Sequence, residues 1–424
     1  MRLFKRLKGL PANEKGNVLI LTAAAMPLLV GSAGLAIDTI ELSLVKRQLQ
    51  RAADTAALAG AYAKAQSKPV PGAVTNALAH YNSIARSATA IEEPATGTYP
   101  NRSVRVQLSA QRTVPFMAFF TNTRPTISAE ATAALVYSGQ YCMIALETGD
   151  VTGITFSGSN TSRLGCGVIS NSRHSRSVVA DGSSSVTASP IAGVGGVPSS
   201  TGYAQPALLL PYSQPQEDPF ANVPVPAPNC SGASELRVLP NTTVPATPGC
   251  YKGWDIKGTL NLAPGTYYID GKGSGGGVNA VNSLSVDSTA TISGTGVTIV
   301  LTSSTPTDPA SFPTVHINGS AQVNLSAPVA GSGQPYPGIL FYQDRRAGTT
   351  GTNFLNGNSL SSYEGAFYFP RQQVTFNGNT GMQTKCVQMV ARLLVLTGNS
   401  AISNQCDTAG GARGFDATWV RLVA

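Results

Sequence analysis

Six cysteines carry the most definite chemistry in this 424-residue chain, and their spacing suggests cross-linking rather than catalysis. Cys142, Cys166, Cys230, Cys250, Cys386 and Cys406 form three sequential couples, separated by 24, 20 and 20 residues. The couples favour 142–166, 230–250 and 386–406 as disulfides in an oxidising compartment. No CxxC is present, and His80, His174 and His316 lie far apart, so no zinc site is expected. GxSxG, HExxH and P-loop spacings are absent. The run GKGSGGG at Gly271–Gly277 lacks a following GK[ST] and reads as a loop. Cleaving or eliminating on a polysaccharide requires grouped carboxylates or a basic residue beside a metal. Here Asp255, Asp270, Asp287, Asp344 and Glu364 are scattered. Asp344-Arg345-Arg346 is the densest charge cluster; it reads as a solvated loop in preference to a site for an acidic sugar. Tyr267, Tyr268, Phe341, Tyr342, Tyr363, Phe367, Tyr368 and Phe369 offer rings for stacking on sugars, but alternation makes most of them core. The expectation is a protein without catalysis, cofactor or metal.

These residues need a scaffold, and composition says which kind. Charged residues make up 12% of the chain, about half the usual ~25%. Glycine, at 44 residues, is enriched without a collagen period, which suits a large β structure with many tight turns. The net charge of +8 is concentrated at the start: Arg2, Lys5, Arg6, Lys8, Lys15, Lys46, Arg47 and Arg51 outnumber Glu14, Asp38 and Glu41. From Ser138 onward there are 14 basic and 14 acidic residues, so no cationic face for nucleic acid is implied.

Val18–Ile37 is a 20-residue run without a charge. At ~1.5 Å per residue it spans about 30 Å, the hydrocarbon thickness of a bilayer. The basic flank before it places Met1 in the cytoplasm and the bulk of the chain outside. The competing reading is a cleaved signal peptide with Gly31-Ser32-Ala33 at the cleavage site. The helix is expected to continue, because Leu42, Val45, Leu49, Ala52, Ala56, Ala59 and Ala63 recur at helical spacing until Pro69, Pro71 and Gly72 stop it. A short helix over 74–84 follows. Alternation predicts strands over 103–110 and 126–137, with a compact apolar stretch at 114–120 between them.

Beyond residue 137 short apolar strands end in x-Gly-polar turns: FSGSN at Phe156, ADGSS at Ala180, INGSA at Ile317, LNGNS at Leu355, FNGNT at Phe376 and LTGNS at Leu396. Recurrence at 20-odd residues and above suggests stacked solenoid coils. A parallel β-helix is therefore favoured over a β-sandwich with hairpins at those turns. The predicted fold is a membrane-anchored, pilin-like α+β N-terminal module followed by an all-β C-terminal domain, read as a parallel β-helix. Its segments are a cytoplasmic tail (1–17), a span (18–37), the α+β module (38–137), a first β block (138–193), a Pro/Ser-rich linker or excursion (194–228) and the β-helix domain (229–424).

Gly16-Asn17, Pro27-Leu28-Leu29, Gly34-Leu35-Ala36-Ile37-Asp38, Lys46-Arg47-Gln48-Leu49-Gln50 and the stretch RAADTAALAGA from Arg51 to Ala61 resemble the N-terminal module of TadG-like Flp (tight adherence) pilus-assembly proteins. A looser likeness runs through Val104–Leu135 and recurs in YPGILFYQD, EGAFYFP and VTFNGNTG. The resemblance implies a bacterial inner-membrane protein with one span and a periplasmic or exported C-terminal part. Its implied partners are the inner membrane and other pilus-assembly proteins or pseudopilins, with cell-wall or surface glycan as a further candidate. Two features depart from relatives: no DxSxS metal motif of a von Willebrand A domain is found, and Leu21 stands where a processed pseudopilin has Glu. The anchor is therefore expected to stay uncleaved. A surface adhesin or minor pilus subunit is the alternative function, and a carbohydrate-active enzyme a weaker one. Gly31, Ser32 and Gly34 are the candidates for helix packing in the membrane. Asp38, Lys46, Gln50 and Asp54 are the candidates for partner contacts just outside it. The plainer alternatives are that Asp38 only ends the span and that Asp54 pairs with Arg51.

Overall fold

In the computed structural model the apolar run forms the first half of one long helix, α1 (Asn17–Ala65). The structure describes residues 17–66, 68–82, 86–119, 121–271, 283–377, 383–384, 386–398, 401–404 and 415–423. The N-terminal basic tail, most of the GKGSGGG run, Gly378 and Cys406 thus lie outside the described residues. By its internal contacts the chain forms two compact units, Met1–Val136 with Thr418–Ala424, and Tyr137–Ala417.

In the first unit α1 changes character along its length. Its first part exposes Val18, Leu19, Leu28, Leu29 and Leu35 to the surroundings, and among the described residues it is the one helix long and apolar enough to cross a membrane. From Val45 onward one face is buried: Val45, Leu49, Ala52, Ala53, Ala56, Ala57 and Ala61. The seam broadens by one residue per turn over the predicted one, because alanines on both flanks are small enough to enter the contact. α2 (Val70–Ala79) starts earlier than expected, with Pro71 in its first turn. A helix N-terminus has no use for that N–H, so proline fits there. The sheet β1 (Ala88–Glu92), β2 (Ser103–Gln111) and β3 (Thr126–Ala145) is antiparallel, with Ala88 opposite Ser109 and Ser103 opposite Ala134. Val104, Val106 and Leu108 of β2 and Ala129, Ala131 and Ala133 of β3 form a core with the α1 alanines and with Val70, Val74 and Leu78 of α2. Val423 N donates to Thr132 O, so the final residues cluster with this unit, not with the β domain to which the sequence assigned them.

Gly60 marks the closest approach in that core. A Cβ there would lie 2.8 Å from Val104 Cγ1 and 3.0 Å from Val74 Cγ2. Both neighbours are β-branched and cannot swing away. Gly60→Val is expected to lower the unit's stability by about 2 kcal/mol by overpacking, read as a fall in denaturation midpoint of the full chain in micelles. Gly60→Ala falls between, since its helix propensity gain offsets part of the clash.

The second unit consists of parallel ladders. Strands meet their partners one recurrence later, not in hairpins, which overturns the sandwich alternative. In the first ladder Leu236 aligns with Trp254, Leu284 and Val315, all facing inward. In the second, Val244 aligns with Leu260, Ile292 and Val323. In the third, Tyr267 aligns with Ile299, Phe341, Phe367, Met389, Met143, Val168 and Ile191. The three alternate in fixed order along the chain. Parallel strands buried on the inner face need such continuous Val/Ile/Leu/Phe columns, and the core residues are those columns.

Stacking does not follow sequence order. Met143 and Ile154 of the first β block pair with Met389 and Leu394 near the end of the chain. The sequence separates two blocks by a linker, whereas the ladders join both into one unit. What allows this is the Pro/Ser-rich segment, which runs as a strap over the outer face of the third ladder. Leu210, Phe220 and Val223 pack there against a cluster that includes Tyr342, Tyr368 and Val390. The repeated glycines sit at the corner where first-ladder strands end. Gly158, Gly182 and Gly398 have φ of +75°, +71° and +78°. Their turns stack directly: a Cβ on Gly182 would lie 3.2 Å from Gly158 O, and one on Gly158 would lie 3.1 Å from Gly398 N.

Burial in this unit pushes the hydroxyls of Tyr141, Tyr203, Tyr267 and Tyr342 up to about 12. A raised value means the fold holds the proton that the unfolded chain releases near pH ~10. The tyrosines therefore cost no stability below pH ~10 and destabilise the fold progressively from there to about 12. Tyrosinate absorbance is expected to show a late step in that window, coincident with loss of the β-sheet circular dichroism.

Candidate functional site

The residues singled out around the end of the apolar helix fall into three groups. Gly31 and Ser32 remain on the outer surface of α1. Nothing lies within 4 Å of a Cβ built on Gly31, and Ser32 Oγ bonds only back to Leu29 O at 3.0 Å. They stay available to lipid or to another helix.

Gly34 and Asp38, one turn apart, are instead used within the unit. The Phe116 ring lies over Gly34, where any Cβ would collide with it. The Asp38 carboxylate accepts from Met117 N at 2.6 Å and from Phe116 N at 3.3 Å. Asp38 is only 2% exposed. These two backbone N–H groups open a 3-10 turn at Met117–Phe119, where such donors have no partner within the turn. A carboxylate there fixes the turn, as an N-cap side chain does for a helix. The stretch between β2 and β3 is therefore a docked loop, Pro115–Phe119, held against the end of the apolar segment of α1.

Lys46, Gln50 and Asp54 form the third group, about two to four turns further along α1. Lys46 Nζ donates to Ser128 O. Gln50 Nε2 donates to Glu130 O at 2.7 Å and to Asp54 Oδ1 at 2.9 Å. Asp54 thus meets Gln50 rather than Arg51. Lys46 and Glu130, with Gln107 and Ser109, line a cleft of ≈ 390 Å³ beside the sheet. Glu130 also pairs with Arg105 and accepts from Gln107 at 3.0 Å, so the cleft wall is a fixed polar lattice.

In the second unit Cys142–Cys166 and Cys230–Cys250 are disulfides, with Cα separations of 5.8 and 5.3 Å. Cys386 is disulfide-bonded, and its expected partner, Cys406, lies outside the described residues. Asp344-Arg345-Arg346 is not a solvated loop. Asp344 is fully buried; it accepts from Thr302 Oγ1 at 2.9 Å and from Arg346 Nη2 at 2.6 Å. Arg346 Nη2 reaches Pro226 O at 2.9 Å, and Arg345 donates to Val223 O at 3.0 Å, to Phe220 O and to Tyr368 Oη at 2.8 Å. Tyr368 in turn donates to Asp218 at 2.7 Å. The cluster clasps the strap. The sequence signal for it was three adjacent charges in a charge-poor domain. Tyr267, Phe341, Tyr342, Tyr363, Phe367, Tyr368 and Phe369 are enclosed in the cores and present no face for stacking on a sugar. Among the described residues no three of His, Cys, Asp and Glu form a group able to hold a metal ion.

Comparison with known proteins agrees with the geometry at the helix. Residues 16–64 match the Tad family, described as "Putative Flp pilus-assembly TadE/G-like". The match covers the apolar segment of α1 and the alanine-rich face that follows it. No curated protein matches the chain.

Proposed function

We propose that this chain is a membrane-anchored, non-catalytic component of a Tad/Flp pilus-assembly apparatus in a bacterial inner membrane. The observation that carries the reading is the family match over residues 16–64, which falls on a helix whose first part is apolar and outward-facing and whose second part is packed. The first 17 residues are cytoplasmic on this reading, and everything beyond the span is periplasmic or exported. The ladders of the second unit are the faces of a parallel β-helix, a reading supported by the fixed recurrence of three strand types and their inward columns. Such a stack is stiff and disulfide-braced, and suits a scaffold that links the membrane to other pilus-assembly proteins or to the envelope.

Deleting the gene in a bacterium that makes such pili is expected to abolish or thin them, with rescue by the full chain but not by residues 38–424 alone. Unchanged piliation would overturn the reading. Protease shaving of a C-terminally tagged chain is expected to succeed on spheroplasts and fail on intact cells. Digestion on intact cells would instead indicate a surface adhesin or minor pilus subunit.

A further inference from the structure

We propose that the loop Pro115–Phe119 inserts its apolar side chains into the lipid interface at the far end of the span, so that the α+β module rests on the bilayer surface. The proposal builds on reading α1 as the anchor. From Val18 to Asp38 the helix rises about 30 Å, so Asp38 lies at the level where hydrocarbon gives way to headgroups. The loop is fixed at that level by Gly34 and Asp38. Its tip is apolar and unsatisfied: Phe119 is 83% exposed, edge-on to Phe116 at 6.2 Å between ring centres. The apolar surface of α1 does not stop at the charge. Ile37, Ile40 and Leu44 are also exposed, so loop and helix together continue the lipid-facing surface of the span past Asp38.

The chemistry flanking the loop fits lipid better than a protein groove. Arg112 and Arg124 bracket the apolar stretch in sequence, placed to reach headgroup phosphates while the residues between them enter the acyl region. Asp38, which would be costly in lipid, is covered by the loop and bonded to two backbone N–H groups. The loop thereby shields Asp38, the first acid after the apolar run, and presents aromatic and apolar groups at the surface in its place, with the half-buried Glu41 one turn further on.

The test places photoreactive benzoylphenylalanine at Leu29, Phe119 or Ala65 of the full chain, in phosphatidylcholine–phosphatidylglycerol vesicles carrying an alkyne-tagged lipid. Leu29 reports on the anchor itself. Ala65, exposed and about 40 Å beyond Asp38 along α1, serves as the position away from the bilayer. Lipid labelling at Phe119 is expected to approach that at Leu29 and to exceed that at Ala65 by at least about tenfold, as a group held in the interface should. Labelling at Leu29 with none at Phe119 would overturn the proposal and leave the anchor intact. No labelling at either would reject the anchor as well. Cross-linking of Phe119 to a protein in native membranes, in place of lipid, would assign the loop to a partner and overturn the proposal.

Discussion

Asp344→Ala is expected to free the strap from the second unit and to increase proteolytic cleavage after Glu217 about a hundredfold. The carboxylate is fully buried, and it is the acceptor for Thr302 Oγ1, for Arg346 N at 2.9 Å and for the Arg346 guanidinium. Removing it strands three donors. Breaking a buried pair costs about 3–5 kcal/mol. Arg346 keeps some access to water, so a value near the low end, about 3 kcal/mol, is expected, which is about two decades in the population of the open strap. The effect should be local. Strap contacts are made by Arg345 and Arg346 to the carbonyls of Phe220, Val223 and Pro226, whereas the columns of the three ladders do not include Asp344. Asp344→Asn retains one acceptor oxygen and is expected to raise cleavage less. Wild-type cleavage rates in Asp344→Ala would mean that the strap is held without this carboxylate, by the Arg345 bonds to Phe220 O and Val223 O and by Phe220 packing on Tyr368 and Phe415.

What could be read in advance follows from the range of the signal. α1 was legible from beginning to end because its two halves carry two local patterns, an uncharged run and then a 3–4 seam ending at Leu49 and the alanines. The corner turns were legible because Gly158, Gly182 and Gly398 need a left-handed backbone, and only glycine supplies it cheaply. The irregular intervals between the repeats reflect connections of different length between paired strands, and so hid the register. The joining of Met143 to Met389 was not legible at all. Strand order in a parallel stack is set by which column fills which gap, and apolar strands of similar size carry no label for their neighbour.

The same distinction applies to the site. Gly34 and Asp38 were noticed for what they are, a small residue and a charge in an apolar helix, and assigned outward to partners. Their true neighbours, Phe116 and Met117, come from a loop nearly eighty residues away. An acid one turn after a glycine on the same helix face, with an apolar loop bracketed by Arg112 and Arg124 elsewhere in the module, is the signal that would have joined them. Lys46 and Gln50, read as partner contacts just outside the membrane, also make bonds within the unit. They lie off the apolar seam, yet their reach past its edge brings them to the carbonyls of Ser128 and Glu130. Polar residues that border a seam can bond to the neighbouring strand, a contact that periodicity alone does not reveal.

Loss of either resolved disulfide is expected to cost about 3 kcal/mol, the chain-entropy value for loops of 24 and 20 residues. The two should differ in where the damage appears. Cys142 and Cys166 join segments already paired side by side in the third ladder, with Met143 opposite Val168 and Tyr141 opposite Gly167. Removing that bridge should lower global stability and leave local protection intact. Cys230 and Cys250 instead hold the segment that opens the stack. Leu236–Val238, Thr243–Ala246 and Gly249–Tyr251 pair, among the described residues, only with the strands Trp254–Ile256, Thr259–Leu262 and Gly265–Asp270 that follow. A strand at the end of a parallel ladder has one neighbour where an interior strand has two, so it contributes least packing to its own retention. The Cys230→Ala/Cys250→Ala double variant should therefore lose hydrogen-exchange protection first at 236–251, with interior strands such as Val297–Thr302 unaffected at the same denaturant concentration. Equal protection across both regions would show that the ladder bonds alone retain the end strands. The same arithmetic bears on location: a fold of which about 3 kcal/mol per bridge is covalent loses that margin in a reducing cytoplasm, and the chain is expected to reach full stability only when the second unit matures outside it.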